Sequence, residues 1–271
     1  FSRITSPLNE NSSTSVTIEE NGPARAVILA EGTLATNAGQ KVIDFTCRIT
    51  ARAGNSDLEV TFTVRNANIQ RPQHTVVEGI ELWIKTRTGS NPVARISRHD
   101  GMQTLPLGNN DNAWIHQAYS AADTTDLSGS PSSSYKPHIP YSGSNTLADE
   151  GYRIVTNDGT VFSTGNEDLY PQHGFGNLAG DSGGVTVAIR QMPYFWPAAI
   201  ELREDGLVGA GVFSLRNGWP YTFSWRQHES RSVLFSFHRG VGPDPSLQAK
   251  GFDLPIGGRV TDYKHYDDAR A

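Results

Sequence analysis

The chain has 271 residues, 37% of them hydrophobic, with a formal net charge of -5 and a single cysteine. That length is enough for one large core or two smaller ones, and the acidic balance excludes nucleic acid as a default partner, because phosphate binding needs clustered Lys and Arg. One cysteine excludes an internal disulfide framework and a Cys-based zinc cluster, and no apolar run is long enough to span a bilayer.

Taken in chain order, short strands are expected at residues 16–18 and 26–30. A hairpin follows. Ile43, Phe45, Cys47 and Ile49 alternate with Asp44, Thr46, Arg48 and Thr50; beyond the turn Gly54-Asn55-Ser56-Asp57, Leu58, Val60, Phe62 and Val64 alternate with Glu59, Thr61, Thr63 and Arg65. Period-two alternation of this purity puts one face on a core and the other in water. Cys47 belongs to the apolar set and reads as a small buried hydrophobe. Ile80, Leu82 and Ile84 continue the pattern, with Glu81, Trp83 and Lys85 facing the other way. Further strands are expected at residues 114–119, 152–156, 185–190, 199–202, 207–213 and 232–237.

Many short strands joined by Gly-rich turns predict an all-β fold, a large antiparallel β-sandwich with long loops and very little helix. The sandwich is placed in residues 1–239. Residues 240–271, rich in Gly, Pro and charge, read as an extended C-terminal arm or linker. The Ser/Thr/Gly/Pro-rich segment at residues 121–147 has a composition that builds no core, and its Tyr135 and Tyr141 are placed to lie over a sugar site. No His-Glu-x-x-His or comparable cluster occurs, so neither a metal nor a cofactor is expected. His228 and His238, if on one strand, share a face yet stand about 33 Å apart at ~3.3 Å per residue.

Gly180-Asp181-Ser182-Gly183-Gly184 reads like the nucleophile segment of a chymotrypsin-type serine protease. The partners do not fit. A serine nucleophile needs a histidine base and an orienting acid. The histidines upstream, His74, His99, His116, His138 and His173, lack that family's small-small-His-Cys surroundings, and Val185 stands where proline is usual. The segment is therefore read as a polar turn feeding a strand, with a serine protease as the lesser alternative.

The segments Gly-Gly-Val-Thr-Val-Ala-Ile-Arg (183–190), Trp-Pro-Ala-Ala-Ile-Glu-Leu (196–202), Gln-His-Glu (227–229) and Leu-Phe-Ser-Phe-His (234–238) resemble the central β-sandwich of the YetA-like exo-rhamnogalacturonan lyase family. Upstream, Glu19-Glu20-Asn21-Gly22-Pro23-Ala24-Arg25-Ala26-Val27 with Glu31-Gly32, and then the strand pair around Ala53-Gly54-Asn55-Ser56, are similar to the opening strands of that sandwich. The pattern departs at Gln191-Met192-Pro193, where relatives carry an acidic and aromatic run. The resemblance implies a carbohydrate-related module of pectic polysaccharide degradation or binding, in an extracellular or secreted setting, with flanking domains or a homo-oligomer as partners. Family proteins carry a β-barrel before the sandwich and a helical toroid after it; these do not fit in 271 residues, so little or no lyase activity is expected of this chain alone.

Eliminative cleavage of a uronic-acid polymer needs a carboxylate clamp, a base and an acid. In the family-like segments Arg190, His228 and Tyr194 are the candidates for those roles, and Trp196, Arg226, Glu229 and Trp83 for binding an acidic, pectin-like saccharide. Each also has a purely structural reading: Arg190 as a strand-end charge, His228 and Glu229 as a hydrogen-bonded pair, and Tyr194 with Trp196 as a cap on the sandwich edge. The alternative to a carbohydrate module is a structural or assembly protein of an extracellular or virion-like particle.

Overall fold

The computed structural model describes residues 14–35, 41–66, 75–77, 79–108, 111–118, 151–164, 171, 173–194, 198–214, 221–223, 227–240 and 242–254. The segment at 121–147, Trp196 and Arg226 lie outside them. The described residues form seventeen strands and one α-helix. The strands are β1 Thr14–Asn21, β2 Arg25–Ala35, β3 Lys41–Arg52, β4 Asp57–Asn66, β5 Thr75–Val77, β6 Ile80–Lys85, β7 Val93–Arg98, β8 Gly101–Pro106 and β9 Asn112–Ala118. After them come β10 Gly151–Thr156, β11 Val161–Thr164, β12 Phe175–Gly180, β13 Gly183–Ile189, β14 Ala198–Arg203, β15 Leu207–Phe213, β16 Tyr221–Phe223, β17 His228–His238 and the helix α1 Pro245–Asp253.

The expected antiparallel sandwich with little helix is what the molecule shows. Nine strands in the order β1-β2-β3-β4-β17-β13-β12-β7-β8 make one sheet, and six in the order β11-β10-β9-β14-β15-β6 make the other. Alternation decides which side of each strand enters the core between them. Ile154, Ile115, Ile200 and Ala210 form one fully buried row across β10, β9, β14 and β15, and Leu82 of β6 extends it. Opposite, Val185, Val187 and Ile189 of β13 and Val233 and Phe235 of β17 are at most 1% exposed. A ribbon of β5 and β16 closes one end: Asn66 donates to the Phe223 carbonyl at 3.1 Å, and the Phe213 and Phe223 rings meet edge to face at 5.1 Å. Cys47 is half-buried on the inner face, and burial pushes its thiol pKa up.

The Gly180–Gly184 segment is the expected turn. Gly180 pairs with Gly183 across β12 and β13, and Asp181-Ser182 reverse the chain between them. The Ser182 N–H donates to the Thr88 carbonyl at 2.9 Å. Gly180 is required by that close approach, since a Cβ there would lie 2.6 Å from the same carbonyl oxygen. His238, which pairs with Gly184 across β13 and β17, is fully occupied elsewhere. Its Nδ1–H donates to the Gly240 carbonyl at 3.2 Å and its Nε2 accepts from the buried Asn177 amide at 2.8 Å. Asn177 is itself oriented by Thr186 and by Arg95, whose Nη1 donates to Oδ1 at 3.3 Å. The imidazole has no nitrogen left to act as a base toward Ser182.

α1 opens the segment read as an arm, and it docks on the outer face of the nine-stranded sheet. Asp244 caps it by accepting from the Ser246 N–H at 2.9 Å, and Pro245 occupies its first turn, where a missing N–H costs nothing. Ala249 and Phe252 bury themselves against Phe175, Ala188 and Leu234. His173 and the Gln191 N–H both bond Asp253, each at 2.7 Å. Residues 255–271 lie outside the described part.

Two consequences can be measured. Phe252→Ala removes an aromatic ring that is 8% exposed and is expected to cost about 3 kcal/mol in urea denaturation with the far-ultraviolet spectrum unchanged; a loss below ~1 kcal/mol would show that the helix is not docked. His238 is held below its ordinary value of 6.5, first by burial. The unfolded chain therefore takes up this proton first as pH falls, so the stability that His238 contributes is present above 6.5 and is lost as pH falls toward its folded pKa. Titration of the His238 ring by NMR is expected to give a midpoint under 6.5, and His238→Gln to flatten the fall in unfolding midpoint over that acid window. A ring midpoint at or above the ordinary value would contradict the geometry.

Candidate functional site

The side chains of the six-stranded sheet that do not enter its core share the opposite, outer face. Strand register lines them into rows. Trp114 of β9, Glu201 of β14, Gly209 of β15 and Trp83 of β6 stand directly across from one another. Beside them run Arg153 of β10, His116, Ala199, Gly211 and Glu81. Asn112, Arg203, Leu207 and Lys85 complete the third row, with Asn112 opposite Arg203 and Leu207 opposite Lys85.

Small residues in the middle leave a floor on which the larger ones lie. A Cβ on Gly209 would sit 2.7 Å from the Trp83 ring, so the indole occupies the space that any other residue at 209 would fill. The Trp83 Nε1–H donates to Glu81 at 3.0 Å, which fixes the ring in its plane. Over the ring lies the Arg203 guanidinium, its carbon 4.5 Å from the centroid, a cation–π geometry. Glu201, 5% exposed, accepts from Arg203 Nε at 2.8 Å and from the Asn112 amide at 3.1 Å. Arg203 is 40% exposed and makes no other hydrogen bond among the described residues, so its two terminal nitrogens keep their donors for another partner. The buried carboxylate orients a cation that is stacked, half in water and unfilled at its fork. Lys85, bonded to Asp205 at 2.7 Å, flanks it, and that bond holds the Asp205 carboxyl below the usual carboxylate range.

His116 and Arg153 stand opposite each other in the second row, and His116 is only 4% exposed. Directly opposed residues in an antiparallel pair have Cβ atoms about 4.5–5.5 Å apart, near enough for an imidazole and a guanidinium to influence one ligand. The face thus offers the Glu81 carboxylate, a guanidinium fork and indole surface, with Glu201 and His116 buried beneath it. Such a set recognises a hydroxyl-rich ligand and gives a carboxylate on it a bidentate partner.

Of the side chains singled out from sequence, Trp83 belongs to this face. Arg190 does not. It follows β13 in the other sheet, donates from Nη2 to Glu59 at 3.1 Å, and lies 4.3 Å over the Phe252 ring, where it clamps α1. His228 is exposed at the start of β17, opposite Arg65, and Glu229 beside it points to the core side, accepting from Gln227 at 3.4 Å. Successive strand residues face opposite ways, so the expected His228–Glu229 hydrogen bond does not form. The backbone of Tyr194 ends a 3-10 turn, Met192–Tyr194, that is tied to β9 by the Gln117 amide bonding the Pro193 carbonyl at 2.9 Å. Among the described residues, no group of three or more His, Cys, Asp or Glu has the arrangement of a metal site.

The residues missed were Glu81, Glu201, Arg203, His116 and Arg153. Their strands were expected, although Arg203 lies one residue past the expected 199–202, and alternation in Ala199-Ile200-Glu201-Leu202-Arg203 sends Glu201 and Arg203 to one side. What the chain order hides is that β6 pairs with β15, more than a hundred residues on, which brings Trp83 beneath Arg203.

No curated protein sequence matches the chain. Among solved structures it is similar to the GH36 alpha-galactosidase AgaA from Geobacillus stearothermophilus, at 10% identity and a TM-score of 0.41 over 84% of this chain and 28% of that one. The galactosidase domain of the alpha-galactosidase-sucrose kinase AgaSK gives 10% identity and 0.40 over 84% and 27%. The Slr1438 protein from Synechocystis sp. PCC 6803 gives 8% identity and 0.40 over 83% and 66%. The chain thus spans about 28% of the galactosidase AgaA, and likenesses of this extent assign it no activity. Residues 4–104, which contain the opening strands Glu19–Val27 and the Ala53–Ser56 turn, match the family of the PcRGLX-like protein central beta sandwich domain.

Proposed function

We propose that this chain is a carbohydrate-facing β-sandwich module, and that the outer face of its six-stranded sheet receives an acidic, pectin-type polysaccharide. One observation carries the reading: the Arg203 guanidinium, stacked on Trp83 and held through Nε by the buried Glu201, is 40% exposed and its terminal nitrogens make no hydrogen bond among the described residues. A guanidinium fixed in that way binds a uronate carboxylate at both oxygens, while Glu81 and Trp83 beside it meet sugar hydroxyls and the apolar face of a ring. The match to a sandwich family over residues 4–104 supports a module of that class. In an eliminative reaction this arrangement takes the carboxylate-neutralising role for which Arg190 was the candidate, since Arg190 is engaged by Glu59 and Phe252. An extracellular setting goes with such a substrate.

Titration of tryptophan fluorescence with rhamnogalacturonan oligosaccharide is the test. Binding should weaken about tenfold in Arg203→Ala, the worth of one charge-assisted contact, and should fall with added salt. Trp83→Ala should remove most of the fluorescence response. Wild-type binding that is unchanged in Arg203→Ala would move the ligand to another surface, and no binding at all would favour a structural or assembly role.

A further inference from the structure

The six-stranded sheet is too narrow to cover its partner. β7 lies across β9, β12 across β14 and β13 across β15, so the cover ends at β6, while the nine-stranded sheet runs on past β17 through β4, β3, β2 and β1. The inner-face pattern does not stop where the cover stops. Ile189, Val233, Val60, Ile49, Ile28 and Ile18 form one row across β13, β17, β4, β3, β2 and β1. Exposure rises along it from 0% at Ile189 and Val233 through 8% at Val60 to 42% at Ile28 and 69% at Ile18. In the next row Val16, opposite Ala30, is 66% exposed. Core-type β-branched side chains thus continue into solvent. Other exposed large hydrophobics among the described residues, Met102, Phe162, Leu247 and Leu254, lie outside β1 and β2.

We infer that a second copy of this chain covers this overhang, the two overhangs packing inner face to inner face about a two-fold axis. A two-fold interface brings a patch onto itself, so it must be its own complement. A pleated strip of Val16, Ile18, Ile28 and Ala30 meets that condition, because two sheets pack through interdigitating apolar faces about 10 Å apart. Charge does not oppose it: the alternate positions of β1, β2 and β3 that share this face, Thr14 to Ile18, Ala26 to Leu34 and Ile43 to Ala51, carry no charged side chain, and the ion pairs Glu19–Arg48, Glu20–Arg25 and Glu59–Arg52 lie on the other side of the sheet. Lateral growth from the β1 edge is limited by the bulge between Ile18 and Glu20, which favours a closed pair over a fibre. Burying the strip removes on the order of a few hundred Å² from each copy, below the ~800 Å² per partner of a standard stable interface, so the pair is weak and reversible.

Sedimentation velocity of the full chain from about 1 to about 200 μM tests this, a span that brackets a micromolar equilibrium. The expected result is a monomer–dimer equilibrium that added salt strengthens, since salt screens the repulsion of two chains of charge -5. Val16→Asp with Ile18→Asp, at positions exposed enough to leave the fold intact by circular dichroism, should weaken association at least tenfold. Leu247→Asp, on the 66%-exposed residue of α1, should leave it unchanged. A monomer at every concentration, or a dimer that survives the paired substitution, would overturn the inference.

Discussion

The unequal width of two packed sheets governs what the rest of this molecule can do. Burying one face of each sheet supplies the apolar stabilisation, and strand alternation then sends every second side chain outward. The six-stranded sheet therefore has an outer face on which polar and aromatic groups can gather without disturbing the core. The nine-stranded sheet, with more face than its partner can shield, needs additional cover. α1 covers part of its outer side through Phe252 and Ala249, and the inner side at β1 and β2 stays open.

This division explains the different fates of chemically similar residues. Arg190 and Arg203 both end or follow a strand, and both lie over an aromatic ring. Arg190 is enclosed between Glu59 and the helix, so its charge holds structure together. Arg203 has a buried carboxylate on its Nε and is 40% exposed, so its terminal donors are left for another partner. His238 shows the same logic for imidazoles. Gly184 and Gly242 lie against its ring so closely that a Cβ on either would fall within 2.8 Å of it, and both nitrogens are bonded, which makes it a lock for the β17–α1 connection.

Much of the fold was legible because alternation is a local signal. The β3–β4 hairpin could be read side chain by side chain, and the strand at residues 207–213 has the expected ends. β12 was missed for a physical reason: α1 and the His238 connection cover its outer side, so Phe175, Asn177 and Ala179 are as buried as Leu178 and no alternation survives. β7 was hidden similarly, with Ala94, Ile96 and Ser97 all buried. The helix was hidden by Gly251 and by the glycines and prolines before it, although Asp244-Pro245-Ser246 is a helix start in its own right. The site was legible only in part. Trp83 could be placed on an outward face, but its partners come from β14 and β15, and non-local pairing leaves no trace in either strand.

Gly209 offers the most direct measurement of the central claim, that the outer face of the six-stranded sheet is a built site rather than incidental surface. Its missing side chain is the space in which Trp83 lies, so Gly209→Ala pushes the indole off the sheet and takes away the surface on which Arg203 stacks, while Val208 and Ala210 keep the core intact. Calorimetric titration of this variant with rhamnogalacturonan oligosaccharide, beside the parent chain, reads the result. Loss of binding at least as large as in Arg203→Ala, with an unfolding midpoint close to the parent's, is the outcome the account predicts; parental affinity in Gly209→Ala would contradict it.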